Sequence, residues 1–178
     1  MANTFQLIES KNIASSVSSV AFTAIPQTYT DLVFYGSVRC STSSVYGTGF
    51  FQFNGVTSGY SDRRMTAYAT DNVKSNTDSS FPAALSGGSL NSAPNTASIF
   101  SPFFIYIPNY AGTTQVKISG GEASFQDPST SPYFYLQTIA NTCGSTGAIT
   151  SVTFMDPFGA YGNTLQYSTF SLYGILKT

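Results

Sequence analysis

The sequence has no histidine and no tryptophan, and only 8% of its 178 residues are charged, where about 25% is ordinary. Without histidine, the Ser-His-Asp and Cys-His catalytic arrangements are excluded, and so are zinc sites built on histidine. Two cysteines, Cys40 and Cys143, are too few for a cysteine-rich metal site or a disulfide framework. No glycine-rich phosphate loop with its lysine is present either. We therefore expect no enzyme activity, no cofactor and no bound metal.

One kind of catalytic site stays open, which is a pair of carboxylates for glycoside hydrolysis. The sequence does not place the acidic side chains relative to one another, and the candidates are Glu9, Asp62, Glu122, Asp127 and Asp156. Most single carboxylates on a β protein contact water or cap a turn, which is the plainer interpretation of these five.

The scarcity of charge also limits the partners. Seven Lys and Arg against eight Asp and Glu give a net charge of −1. A nucleic-acid backbone or an anionic membrane surface would find no basic stripe to bind, so we expect neither as a partner. Charged residues are depleted at the centres of protein interfaces, and a weakly charged chain is therefore typical of a protein that works inside an assembly.

Apolar and polar residues alternate with a period of two along most of the chain. Phe51 and Phe53, for example, are separated by the polar Gln52. No window of a dozen residues has a helical stripe, and the many Gly, Ser, Thr and Asn residues are poor helix formers. We predict one all-β domain over 1–178, an antiparallel two-sheet sandwich of jelly-roll type. The polar, glycine-rich stretch around 71–98 is predicted to be an exposed excursion.

The same alternation predicts which side chains form the core. The predicted core residues are Phe22, Leu32, Phe34, Phe51, Phe53, Phe103, Ile105, Ile118, Phe154 and Leu172. Turn residues separate the predicted strands: Asn54-Gly55 is the preferred pair for a type I′ hairpin, and Gly120-Gly121 is also typical of a turn.

An Ile-Pro pair followed by a tyrosine occurs twice, in AIPQTY and in YIPNY. Proline lacks a ladder donor and biases the residue before it towards an extended backbone, which suits strand ends or corners between sheets. Tyr29 and Tyr110 would then cap the core with their rings and find hydrogen-bond partners at its rim. Two unrelated Ile-Pro turns are the alternative.

The candidate interface residues are Arg63, Arg64, Tyr60 and Tyr110. Neighbouring residues of a strand face opposite sides, so one arginine is expected to pair inside the fold and the other to point outward. Tyrosine and arginine are enriched at interfaces, and a self-complementary patch usually forms a closed oligomer. We expect a homo-oligomer, with a trimer as the first expectation. A solvated strand edge is the alternative role of the arginines.

Five stretches together resemble a family of small virion proteins of tailed phages that infect aquatic bacteria such as cyanobacteria. In order they are FTAIPQTYTDLVFYGSVR, FNGVTSGYSDRRM, IYIPNYAG, AITSVTF and QYSTFSLYGILK. They cover nearly the whole chain, from Phe22 to Lys177.

The resemblance implies a structural component of the virion that is made in the host cytoplasm and carries no catalytic residue. The first hypothesis is a capsid decoration (cement) protein that binds the outer shell, with the major capsid protein as its partner. The second hypothesis is a tail-fibre or host-adhesion module that contacts surface glycans, for which the stretch around 71–98 would be exposed. The sequence leaves head and tail open.

Overall fold

The structure is a computed structural model, and it describes residues 4–67, 73–78, 83–127, 133–156 and 162–176. Within these residues the chain forms twelve β-strands and no helix, so no helix there could cross a membrane. The strands are β1 (Phe5–Asn12), β2 (Ser19–Phe22), β3 (Asp31–Val38), β4 (Tyr46–Phe53), β5 (Tyr60–Ala67), β6 (Val73–Asp78), β7 (Leu85–Asn91), β8 (Ser101–Ile107), β9 (Lys117–Asp127), β10 (Tyr133–Cys143), β11 (Val152–Met155) and β12 (Thr169–Ile175).

The strands form two antiparallel sheets. The large sheet has the order β1-β12-β3-β8-β9-β10-β5-β6, and the small sheet has the order β2-β11-β4-β7. The predicted all-β, antiparallel two-sheet sandwich is therefore confirmed. Because the chain passes repeatedly between the sheets, one face of each can pack against the other and bury a shared core.

The pairing of the strands is nested. β5 pairs with β6, β4 with β7, β3 with β8 and β2 with β11, so each pair encloses the previous one along the chain. This is a long antiparallel hairpin rolled into two sheets, which is the arrangement of a jelly roll. The hairpin β9–β10 is inserted between β8 and β5, and the pair β1–β12 widens the large sheet on its other side.

Phenylalanine rings join the two sheets. The Phe34 ring on β3 contacts the Phe22 ring at 5.0 Å and the Phe51 ring at 5.1 Å, both of which lie on the small sheet. It also lies 5.9 Å from both the Phe103 and the Phe170 rings on its own sheet. Nine of the ten predicted core residues are buried.

The tenth predicted core residue, Ile118, was assigned wrongly, because its side chain is 51% exposed. Lys117 occupies the inward position instead and is 2% exposed. Its ammonium group donates hydrogen bonds to the carbonyl oxygens of Asn109, at 3.5 Å, and Gly112. These bonds satisfy the buried charge, which lets the strand place a lysine inside and an isoleucine outside.

The two Ile-Pro segments meet at one end of the sandwich. The Tyr110 hydroxyl donates a hydrogen bond to the Pro26 carbonyl, and Ile25 and Ile107 are both buried. The first segment links β2 to β3 and changes sheet, as predicted. The second begins where β8 ends and links β8 to β9 within the large sheet, so Pro108 follows a strand end, as predicted, but not a corner between sheets.

The predicted exposed excursion around 71–98 is wrong for its central part. Residues 71–72 and 79–82 lie outside the described residues, but β7 (Leu85–Asn91) is buried along its whole length. It pairs with β4 in the small sheet. Its sequence, LSGGSLN, has small side chains between two leucines, which lets the strand pack closely against the large sheet. A Cβ added at Gly88 would overlap that of Ala123 on β9.

Both glycine-containing turn predictions need correction. Asn54 and Gly55 have φ values of 52° and 67°, as a type I′ turn requires, and the Val56 amide donates to the Phe53 carbonyl at 2.9 Å. However, this turn joins strands of different sheets rather than a hairpin. Gly120-Gly121 is not a turn, because both residues lie within β9.

We predict that Phe34→Ala lowers the free energy of unfolding by about 3–5 kcal/mol, since it leaves a cavity among four aromatic rings. The matched control is Tyr35→Ala. The Tyr35 side chain is the next one on β3, faces the opposite side and is 43% exposed, so its loss should cost at most about 1 kcal/mol. Chemical denaturation measures both values. Similar losses at the two positions would contradict the described orientation of β3.

The two neighbouring glycines of β9 give a second test. A Cβ added at Gly121 would overlap the Phe104 carbonyl oxygen, whereas the nearest atom to a Cβ at Gly120 is the Ile139 carbonyl oxygen at 3.5 Å. We expect Gly121→Ala to cost about 3 kcal/mol or more and Gly120→Ala to change stability by less than about 1 kcal/mol. If both substitutions were tolerated equally in thermal unfolding, a glycine turn would describe this segment better than a strand.

Candidate functional site

Two of the four candidate interface residues are buried in the core. Tyr60 is 4% exposed and Tyr110 is 0% exposed, so neither side chain can contact a partner. The Phe53 amide donates a hydrogen bond to the Tyr60 hydroxyl oxygen at 3.0 Å. Burial raises the pKa of both tyrosines. The prediction that they form an interface is therefore wrong, because their hydroxyls find partners inside the fold.

The two candidate arginines face opposite sides of β5, as predicted. The Arg64 side chain points inward, where its Nε lies 3.4 Å from Oδ2 of Asp62. Burial raises the pKa of the Asp62 carboxyl, and the neighbouring Arg64 charge opposes that rise. Arg63 points outward and is exposed. Of the four candidates, only Arg63 is placed where it could meet another molecule.

Exposed apolar side chains are concentrated on the side of the large sheet that faces away from the small sheet, called here the outer face. Eleven large hydrophobic side chains of the described residues are exposed, and strand alternation places eight of them on this face. The eight are Phe5, Leu7, Tyr35, Met65, Val73, Ile118, Phe134 and Leu136.

A row of cross-strand neighbours crosses the middle of the outer face. In order it contains Ser171, Tyr35, Phe104, Glu122, Thr138 and Met65, each directly opposite the next. The Tyr35 ring lies 6.1 Å from the Phe104 ring and 5.9 Å from the Tyr173 ring. Cross-strand aromatic pairs of this kind stabilise the sheet and fix the ring positions.

A shallow groove of about 290 Å³ lies on this row, between the aromatic side chains and Leu136. Tyr35 and Phe104 form one wall, and the Glu122 carboxylate is the charged group beside it. Ser124, which also lines the groove, is too small to fill the space next to the rings. It offers an apolar surface with one acceptor group.

A buried hydrogen-bond network holds one end of the outer face in place. Asp31 is 2% exposed and accepts hydrogen bonds from the Tyr106 hydroxyl and the Asn109 amide, both at 2.8 Å. The hydrogen bond to Asp31 raises the pKa of Tyr106. Since Tyr106 lies on β8 beside the central row, the network keeps this part of the face rigid.

The opposite side of the sandwich differs, because the outward side of β4 in the small sheet is covered. Phe50 and Gln52 alternate with the core residues of β4 and so point away from the large sheet, yet Phe50 is 0% and Gln52 is 7% exposed. The Gln52 side-chain amide donates to the Ala83 carbonyl at 2.8 Å, so the chain itself covers this side of β4. The outward side chains of β2, Ser19 and Ala21, are exposed but small, so the large exposed apolar side chains are concentrated on the large sheet.

The carboxylates considered for catalysis do not come together where the structure describes them. Glu9 pairs with Lys11 at 2.9 Å on an edge strand, Asp62 faces inward and Glu122 faces outward. Asp156 accepts a hydrogen bond from the Gly162 amide beside the small sheet. The side chain of Asp127 lies outside the described residues. The described part of the chain also contains no group of three or more acidic or cysteine side chains able to hold a metal.

Sequence reasoning missed the outer face: it assigned Ile118 to the core and gave the other exposed apolar strand residues no role. The signal was present in β10, where Phe134 and Leu136 lie on one face and Tyr135 and Ile139 on the other. A strand that is apolar on both faces predicts burial on both faces. Here the second apolar face is exposed, which marks it as a surface for contact.

The comparisons with known proteins add no relative: no family model, no curated protein and no solved structure matches this chain. The resemblance to phage virion proteins therefore stays a prediction, and the geometry of the outer face is the basis for a proposal about function.

Proposed function

We propose that the protein is a structural component of a phage virion, a capsid decoration protein that binds and stabilises the outer shell. The observation that carries the proposal is the apolar outer face of the large sheet. Such a face is unfavourable in water, so a protein that has one functions in contact with other protein.

The size of the exposed apolar surface supports a lasting contact. The eight side chains of the outer face expose between 43% and 65% of their areas. At roughly 150–250 Å² for each side chain, this is on the order of 800 Å² in total, spread over the large sheet from β1 to β6. A standard protein interface buries about 800 Å² on each partner.

The low charge and the rigid two-sheet fold agree with a structural role. A shell protein requires a stable fold and a contact surface with few charges, because removing charges from water at a contact costs free energy. This chain has only 15 charged residues, and among the described ones Lys117, Asp62 and Arg39 are buried within the fold. The sequence resemblance to virion proteins of tailed phages is a second, independent support.

A tail-fibre or adhesion module is the second candidate, and the groove beside Tyr35 favours it. An exposed aromatic ring can stack on a sugar, and the Glu122 carboxylate could accept hydrogen bonds from sugar hydroxyls. The groove would replace the stretch around 71–98 as the contact region, because β7 within that stretch is buried.

The location in the particle tests the proposal. Virions that contain this chain would be dissociated, and heads and tails separated and analysed by mass spectrometry. We expect the chain in the head fraction, in a fixed ratio to the major capsid protein. Recovery from the tail fraction alone would favour the adhesion module instead, and absence from both fractions would rule out a virion role.

A reconstitution experiment tests the stabilising activity. Heads lacking the protein should open at a higher temperature after the purified protein is added, because a ligand that binds only the closed shell shifts the equilibrium towards it. Heads that already carry the protein are the control and should gain nothing. No change in the opening temperature, despite binding, would contradict a cement role.

A further inference from the structure

We propose that the outer face of the large sheet binds the same face of a second copy of this chain around a two-fold axis, with Arg63 of each copy next to Glu122 of the other. This inference rests on the proposed assembly role, and it assigns the outer face to the contact between two copies, so that the contact with the shell is made by other surfaces of the pair. It goes further by naming the partner and the residues that set the register.

The distribution of charge points to a second copy. On β12, β3, β8, β9, β10 and β5, the exposed charged side chains among the described residues are Glu122 and Arg63, whereas Asp31, Asp62 and Lys117 are buried. An otherwise apolar face with one acidic and one basic group is complementary to a second copy of itself. A two-fold rotation places the acidic group of each copy opposite the basic group of the other. A different partner would have to match both signs with its own charges.

The strand register gives the spacing of the two charges. Glu122 on β9 is opposite Thr138 on β10, whereas Arg63 on β5 is opposite Ala140. The two residues are therefore two strands and two positions apart, or roughly 12 Å between Cα atoms at standard strand dimensions. A two-fold axis through the midpoint, at β10, brings each charge opposite its partner on the other copy.

The side chains near that midpoint are small. Thr138 and Ala140 on β10 lie between the two charges, so two outer faces can approach at the centre. Face-to-face sheets pack about 10 Å apart. Met65 is opposite Thr138 and Leu136 is two residues away from it on β10, so apolar side chains surround the centre and would lose their contact with water.

The symmetry follows from the position of the patch. A contact in which the same patch is used by both copies closes with two chains. Of the residues that the sequence predicted for an oligomer interface, Tyr60 and Tyr110 are both buried, so they contribute nothing to this contact. Because the axis lies at β10, the contact is centred on β9, β10 and β5, and the exposed side chains of β1 at the far edge of the sheet lie outside it.

A charge-exchange experiment on the full-length protein tests the pairing by sedimentation equilibrium. The wild type should have twice the chain mass of 19.0 kDa. Glu122→Arg and Arg63→Glu should each raise the dissociation constant tenfold or more, because each places like charges together at two symmetric positions. The double variant, with both substitutions, should return to within about threefold of the wild type, because every pair is again of opposite sign.

Matched variants distinguish the loss of this charge pairing from general effects of a substitution. Lys74→Glu reverses a charge on the neighbouring strand β6 at a position opposite the inward Thr66, and it should leave the dissociation constant unchanged. Leu136→Ser should weaken association, whereas Tyr167→Ser, at a 74% exposed tyrosine outside the sheet, should not. Thermal unfolding of each variant checks that it folds.

Each outcome decides the proposal. A wild type that stays monomeric at about 100 μM, a species of three chains, or a double variant as weak as the single ones would overturn it. The result is also distinguishable from the proposed function. A monomer that is found on purified heads contradicts only the pairing, and a dimer that is absent from virions contradicts only the virion role.

Discussion

The contact between the Phe34 ring and the rings of the small sheet is the interaction on which the rest of the structure depends. Phe34 lies 5.0–5.1 Å from Phe22 and Phe51 across the sandwich, and nested strand pairing brings these three distant residues together. Burial of such rings supplies the main driving force for folding, because the chain has few charges and no disulfide. Since β3 must turn Phe34 inward, its neighbour Tyr35 must face outward.

That constraint also creates the outer face. Each aromatic residue that faces the core fixes the orientation of its strand in the large sheet. The side chains at the alternate positions of that strand then face outward. Many proteins place polar residues there, but this chain places Tyr35, Met65, Phe134 and Leu136. The apolar surface is therefore not required by the core. It has to be explained by something that covers it, which is the physical support for a role in an assembly.

The sequence predicted the fold class and most of the core, because period-two alternation depends on local geometry and persists in nearly every strand. It did not predict β7, because the sequence LSGGSLN has only two large apolar side chains, separated by small and polar ones. Burial of this strand depends on β4 and on Ala123, which are distant in sequence. The same limit applies to the site. Tyr60 and Tyr110 looked suited to an interface, yet their hydroxyls bond to Phe53 and Pro26, which only the folded chain brings near.

The inverted orientation of the start of β9 shows how strongly long-range contacts can override a sequence pattern. Alternation alone would bury Ile118 and expose Lys117, but the lysine is 2% exposed and the isoleucine is 51% exposed. Burial lowers the pKa of Lys117, which is the cost of this arrangement, and carbonyl oxygens of the β8–β9 connection offset part of it. The result is a basic group removed from the outer face and an apolar group added to it. Among the described strands of the large sheet, Glu122 and Arg63 are thereby left as the exposed charges at the centre of that face, and a surface with one charge of each sign can be matched by a copy of itself.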